Sequence, residues 1–234
     1  MVDTIKNNSL YNRELLNGMF FPKTKAYYFK EWNNFSMQFH AHNAVEIMYV
    51  ISGTCLVEVN DVSITMRKGE FILLDANVKH NLQVENDKPC RMLNVEFGFH
   101  KEDIGLPSID VIAKGSDTFR QLLCSSKPYI FLRDSEEVYV TLKSLIMELD
   151  RDDSEGNLLV QLLYYQLLIR LSRLYISYMP TYLKLALYKQ YLLDWFIIMS
   201  SLHDKEDALC LLKSRSSEQE VLVSQEDSYG ICSQ

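Results

Sequence analysis

The chain has 234 residues, 47% hydrophobic and 24% charged, the profile of an ordinary soluble globular protein with room for one elaborated domain or a domain plus a helical appendage. Its 24 Lys and Arg stand against 31 Asp and Glu, a net charge of -7, which argues against a broad nucleic-acid footprint because phosphate binding needs clustered cations. Five cysteines (Cys55, Cys90, Cys124, Cys210, Cys232) without a Cys-x-x-Cys pair, no signal-like N-terminus and no apolar run of the roughly 18 residues a membrane span needs together predict a reduced, cytoplasmic protein.

Residues 1–25 read as a polar arm. Asn7, Asn8, Ser9 and Asn12 precede Leu15-Leu16 and Met19-Phe20-Phe21, and Pro22 ends the segment. Its apolar end must dock, since an exposed Phe20-Phe21 pair would invite association. From residue 26 the texture changes to short Val, Ile, Phe and Tyr runs between turn residues. Strands are predicted over 27–29, 35–40, 45–51, 54–59, 62–66, 71–74, 80–85 and 91–97. Asn60-Asp61 is a hairpin signal, and Arg67-Lys68-Gly69 ends a strand. Cys55, Val57 and Val59 alternate with Leu56, Glu58 and Asn60, which points the first set inward, with Cys55 as core filling. Residues 45–51 are apolar on both parities except Glu46, so that strand is covered on both faces and its carboxylate needs a partner or a cation.

His40, His42 and Glu46 share one strand parity, and His80 follows forty residues after the first of them. If its strand folds back beside them, three imidazoles and one carboxylate surround a point, a donor set suited to a divalent transition metal. The same groups suit direct contact with a small polar effector, or a purely structural buried hydrogen-bond network. Strand parity extends the predicted pocket to Gln38 and Met48, and to Met92 and Asn94 on the last strand.

The spacing His40-x-His42-x3-Glu46-x6-Gly53, then Gly69-x5-Asp75-x-Asn77-x2-His80, resembles the two signature segments of the cupin barrel. The family's leading glycine falls at Asn34, its second-segment proline at Asp75, its next glycine at Asn77 and its closing asparagine at Val84. All four metal-ligand positions are kept, whereas the turn residues around them differ. Residues 46–53 and the Gly-Glu-Phe-Ile-Leu-Leu run at 69–74, followed by a turn and His80, are similar to the N-terminal effector-binding half of AraC-type transcriptional regulators, a likeness spanning about 25–175. The resemblance implies a mainly β plus α protein: a cupin-type β-barrel, or double-stranded β-helix, followed by a helical dimerisation region.

Residues 136–150 place Val138, Leu142, Leu145, Ile146 and Leu149 on one stripe, a predicted amphipathic helix with Ser135 as its N-cap. The acidic run 150–155 reads as a solvated loop closing at Gly156. Residues 158–177 are far more apolar, with a narrow polar line through Gln166, Arg170, Arg173 and Ser177, so this helix is buried between layers or against another subunit. Tyr164-Tyr165 belong to a packing stripe. The AraC-type resemblance implies the subunit contact, the run at 167–173 being similar to the region through which those regulators pair. Pro180 breaks the helix, 182–202 read as another apolar helix, and the chain turns polar from His203.

In an AraC-type regulator two helix-turn-helix units would follow. Here Lys184, Lys189, Lys205, Lys213 and Arg215 face eight acidic residues after Pro180, and no such unit, hence no direct DNA contact, is recognisable. The expected division is a 1–25 arm, a 26–105 barrel, a 106–202 helical dimerisation region and a 203–234 polar tail. Two functions follow. One is a sensor that takes a small-molecule effector into a cupin pocket and passes the change to a homodimer interface in the helices. The other is a metal-dependent cupin enzyme, an oxygenase or isomerase. A divalent metal is an open expectation of both, and neither involves a membrane.

Overall fold

A computed structural model describes residues 8–101, 105–151 and 156–180. The β-rich stretch forms β1 (Phe20–Trp32), β2 (Phe35–Ser36), β3 (Val45–Ser52), β4 (Thr54–Val59), β5 (Val62–Arg67), β6 (Glu70–Leu74), β7 (His80–Val84) and β8 (Cys90–Lys101). Helices α1 (Ile109–Lys114) and α2 (Asp117–Leu123) follow, then β9 (Tyr129–Arg133), α3 (Glu137–Leu149) and α4 (Gly156–Tyr178). The strands assemble into two antiparallel sheets, ordered β1-β8-β3-β6-β9 and β2-β7-β4-β5. Between them lies an apolar core of Met48, Val50, Cys55, Val57, Val59, Met66, Ile72, Leu74, Leu82, Val84, Cys90 and Met92.

Sequence explains most of this locally. Cys55, Val57 and Val59 are buried as their alternation requires. Strand β3 sits third of five in its sheet and is buried from Val45 to Val50. Each large aliphatic side chain it hides contributes about 1.5–3 kcal/mol. Asn60 and Asp61 both take positive φ, 46° and 66°, the backbone of a two-residue hairpin turn between β4 and β5. At Gly53, φ is 77° and an added Cβ would fall 1.9 Å from the Pro89 carbonyl oxygen, so only glycine closes the β3–β4 turn against the segment leading into β8.

Several expectations change. Strand β1 begins at Phe20, not after residue 25, and runs through Pro22. Pro22 is tolerated because β1 is a sheet edge, where a missing N–H breaks no ladder on the open side. Phe20 and Phe21 dock as required, by joining that strand. The segment before it includes a short 3-10 helix, Arg13–Leu16, with Leu10 and Leu15 buried. The strand expected over 35–40 is only Phe35–Ser36, followed by an isolated bridge at His40.

Strand β9 lies beyond the 26–105 interval, yet it pairs with β6 and completes the larger sheet. Its five residues alternate, Ile130 and Leu132 inward, in a stretch that reads as helical by neighbourhood. The N-cap of α3 is Glu136, in the left-handed region, and Ser135 does not cap it. Asp134 does that work from one position earlier, accepting from the N–H groups of Val138 (3.1 Å) and Tyr139 (2.8 Å).

Helix α3 buries Val138, Leu142, Leu145 and Ile146. Helix α4 buries Tyr164, Leu167, Leu168 and Leu171, and leaves Gln166, Arg173 and Ser177 exposed. The Tyr164 ring packs on Phe97 of β8 at 5.3 Å, and its hydroxyl shares a 2.7 Å hydrogen bond with Thr24 of β1. Thus α4 covers the outer face of the larger sheet. Val140, Met147, Leu158, Leu159 and Leu162 remain exposed on α3 and α4. The expected 182–202 helix and 203–234 tail, and most of the 150–155 loop, lie outside the described residues. Among the described residues no helix is long and apolar enough to cross a membrane.

Candidate metal centre

The singled-out side chains gather about His42, not by simple strand parity and not as one four-membered cluster: His40 and His80 group with it on one side, and Glu46 lies against His42 and His80. His40 forms a mutual backbone bridge with His80, each N–H donating to the other's carbonyl at 3.0 Å. His42 then sits on the crossing between the sheets, where its carbonyl accepts the Asn77 N–H at 2.8 Å. Glu46 enters from β3 and His80 begins β7. Glu46 Oε2 lies 3.1 Å from His42 Nε2 and 2.9 Å from His80 Nε2. The rings of His40 and His80 are 4.3 Å apart, and those of His42 and His80 5.3 Å.

The outward nitrogens of two histidines are already tied back. His80 Nδ1 is 2.8 Å from the Val78 carbonyl and His40 Nδ1 is 3.2 Å from the Gln38 carbonyl. An Nδ1–H donating to a carbonyl orients the ring and leaves Nε2 as the nitrogen that faces the centre. The His80 Nε2 is buried with no hydrogen-bond partner, close to Glu46 but not aligned with it. One ligand atom from each of His40, His42 and His80 lies within 4.8 Å of the others. Donors about 2.1 Å from one ion at right angles stand roughly 3.0 Å apart. The contacts to Glu46 have that spacing, and the neutral nitrogen and carboxylate oxygen set fits a divalent transition metal.

Electrostatics point the same way. Burial pushes the Glu46 carboxyl up, yet His42 and His80 beside it more than reverse this and hold it at about 2. The hydrogen bond to Glu46 raises His42, against its partial burial. Directly across the β3–β8 ladder from Glu46 is Glu96, which sequence reasoning missed. Two carboxylates opposite one another repel. Burial and the charge of Glu46 raise the Glu96 carboxyl, which lies 4.0 Å from His42 Nε2. Among the described residues neither glutamate pairs with a lysine or arginine. His42, Glu46 and Glu96 form a second cluster with ligand spacing, sharing His42 with the first.

The other predicted pocket residues divide. Met48 and Asn94 face the interior as a cross-strand pair. Met92 lies within the apolar core and is fully buried. Gln38 has an exposed side chain and lends only its carbonyl. Tyr28 of β1 is a second omission: it pairs with Asn94, and burial and then the charges of Glu46 and Glu96 push its phenol up. A three-residue candidate strand at 27–29 was too short to show which way Tyr28 faces.

Two of the altered turn residues are explained by conformation. Asn34 and Asn77, at the positions of the family's glycines, take φ of 47° and 64°, the left-handed region that asparagine visits more readily than other side chains. Asp75, in the proline position, accepts from Ser9 Oγ at 2.6 Å and from the Leu10 N–H at 2.8 Å. Asn8 grips the neighbouring loop: its N–H donates to Asn43 Oδ1 (2.8 Å), its Nδ2 to the Asn43 carbonyl (2.9 Å), and its Oδ1 accepts from the Phe99 N–H (3.0 Å). The segment before β1 therefore fastens both loops that flank the centre.

Two antiparallel sheets packed around an apolar core, with three histidines and a glutamate gathered where the chain crosses from one sheet to the other, define a β-sandwich with a candidate metal centre. Residues 33–96 match the family of the cupin domain, and the chain carries a cupin domain there. Among solved structures it is similar to a protein from Neisseria meningitidis (20% identity, 33% of this chain and 82% of that one, TM-score 0.28). It is also similar to a cupin-2 domain containing protein from Shewanella frigidimarina (24%, 32% and 78%, TM-score 0.27). A third is a predicted oxalate decarboxylase from Thermotoga maritima (20%, 32% and 68%, TM-score 0.30). No curated protein sequence matches the chain.

Proposed function

We propose that the cupin domain holds one divalent transition metal on His40, His42, His80 and Glu46, and that the centre receives a small polar metabolite as the effector of an AraC-type regulator. The observation that carries this is the buried Nε2 of His80, whose other nitrogen is committed to the Val78 carbonyl and whose neighbour, Glu46 Oε2 at 2.9 Å, is not aligned to share a hydrogen bond with it. Such an arrangement is favourable when a cation accepts the lone pair. When bound, the ion supplies a Lewis acid toward an oxygen of the metabolite.

Two features support a sensing role. Residues 8–10 are hydrogen-bonded to both loops of the centre, so a ligand that moves either loop alters the hold on the N-terminal segment. The exposed apolar side chains of α3 and α4 suit pairing with a second copy, a homodimer through the helices. No DNA contact is assigned to this chain.

Glu96 favours a second reading, a metal-dependent cupin enzyme of oxygenase or isomerase type. Its half-buried carboxyl, raised by burial and by Glu46, stands beside His42 where it can take or give a proton. Metal analysis of natively purified protein tests the shared core: stoichiometric metal that disappears in His42→Ala supports it, and a wild type that stays empty after loading sinks it. Sedimentation with a metabolite panel separates the two, since a monomer at micromolar concentration without a ligand-induced thermal shift removes the sensor.

A further inference from the structure

Outside the apolar core, an open cavity of about 470 Å³ lies where β3 ends, β6 begins and β9 passes into α3. Ligand pockets commonly hold roughly 300–1,000 Å³, so this one has room for a small molecule. Its floor is aromatic. Tyr49 points to the opposite face of β3 from Met48, which belongs to the core, and its ring lies 5.5 Å from that of Tyr139 on α3. The backbone beneath the rim is held in place: the Gly69 N–H donates to the Val50 carbonyl (2.9 Å), the Asp134 N–H to the Gly69 carbonyl (2.8 Å), and the Tyr178 hydroxyl to the Arg133 carbonyl (3.2 Å). The shape is therefore set before a ligand arrives, which lowers the cost of binding one.

Four charged residues line the same space, Lys68 and Arg133 against Asp134 and Glu136. Opposite charges that share a rim commonly pair with each other, yet among the described residues every ion pair lies elsewhere. Asp134 gives its hydrogen bonds to the first turn of α3, accepting from Val138 and Tyr139. Burial, then Asp134 and after it Glu136, push the Tyr49 phenol up, which puts both carboxylates on the side of the aromatic floor. The cavity thus carries both signs of charge without letting them meet.

We propose that this cavity is a second binding site, for the zwitterion of a small α-amino acid with an apolar side chain: Lys68 and Arg133 take its carboxylate, Glu136 and Asp134 its ammonium, and Tyr49 and Tyr139 its side chain. A zwitterion suits both signs at once, whereas an acid alone or an amine alone meets like charge on half of the rim. The site stands apart from the metal centre. Ile51, in its lining, is five residues beyond Glu46 on β3, about 17 Å along a strand and farther than such a molecule reaches. It is expected to fill whether or not a metal is bound.

Calorimetry on chelator-treated protein compares L-phenylalanine with 3-phenylpropionate, which lacks the ammonium, and with phenethylamine, which lacks the carboxylate. Chelation removes any metal that would itself draw a carboxylate. Wild type is expected to bind phenylalanine about tenfold more tightly than either, since each analogue gives up one set of charge-assisted contacts. Lys68→Gln should shrink the advantage over phenethylamine and leave that over 3-phenylpropionate, and Glu136→Gln should do the converse. Both variants should melt as wild type does, because both side chains are exposed and neither has an ion-pair partner among the described residues. No binding of phenylalanine at millimolar concentration overturns the site, and so do equal affinities for the three probes in wild type, whatever the variants do. Tighter binding of either analogue than of phenylalanine overturns the zwitterion, and a preference untouched by both substitutions overturns the placement. Binding that appears only after metal is restored belongs to the metal centre and removes the cavity site, whereas equal phenylalanine affinity with and without metal supports it even if the metal reading fails.

Discussion

Replacing Glu46 by Gln in metal-free protein isolates what the carboxylate contributes to the fold. Glu46 is buried, and its carboxyl sits at about 2 where an ordinary one sits at 4.5. The gap between 4.5 and about 2, at about 1.4 kcal/mol per pH unit, makes the charged form worth about 3 kcal/mol at neutral pH. A depressed carboxyl contributes stability that is complete above its unfolded value and is lost as pH falls through its folded value. Wild-type stability should therefore decline by about 2 kcal/mol between pH 6 and pH 3 from this group, and Glu46→Gln should lack that part of the slope. At the alkaline side His42 acts oppositely. Its raised value means its share is complete below about 6.5 and fades as pH climbs through the raised value. Metal-free protein is thus expected to be most stable between about pH 5 and 6.5. With metal bound the alkaline trend reverses, because the imidazoles must be deprotonated to act as ligands. Urea unfolding with and without chelator, followed by tryptophan fluorescence, reads all of this. A metal-free Glu46→Gln protein as stable as wild type at pH 6 would show that the buried carboxylate is not favourably paired, and the electrostatic account of the centre would fall.

Asn8→Ala should destabilise by about 1–3 kcal/mol, since it strands the Phe99 N–H and removes one of the two bonds to Asn43, and should speed metal loss to a chelator; unaltered release would detach the N-terminal segment from the centre. Asp61→Gly relieves a left-handed backbone in the β4–β5 turn and should stabilise by about 1 kcal/mol in urea melts. Gly53→Ala must displace the Pro89 carbonyl and hold a positive φ, so a loss of at least about 2 kcal/mol is expected from thermal unfolding.

What a sequence can reveal here depends on whether the information is local. His40, His42, Glu46 and His80 announce themselves by residue type, because a carboxylate inside an apolar strand has few physical excuses. The Asn60-Asp61 turn and the inward row of β4 are also local, set by backbone preference and alternation. Register is not. Glu96 stands opposite Glu46 only because β8 pairs with β3 in one particular alignment, with an irregularity between Val50 and Ser52 that no alternation rule foretells. Strand β9 joins β6 across more than fifty residues that include two helices, so its short alternating run has no neighbour in sequence to identify it. The cost of missing register falls hardest on charge. Four ligand positions by themselves describe a centre with one carboxylate, whereas the folded chain places a second carboxylate across from it and raises both Glu96 and Tyr28, first by burial and then by that proximity. The charge around the centre is therefore decided by pairing between distant strands, while its candidate ligands are legible by residue type even though the His40–His80 bridge that joins them is just as distant in sequence.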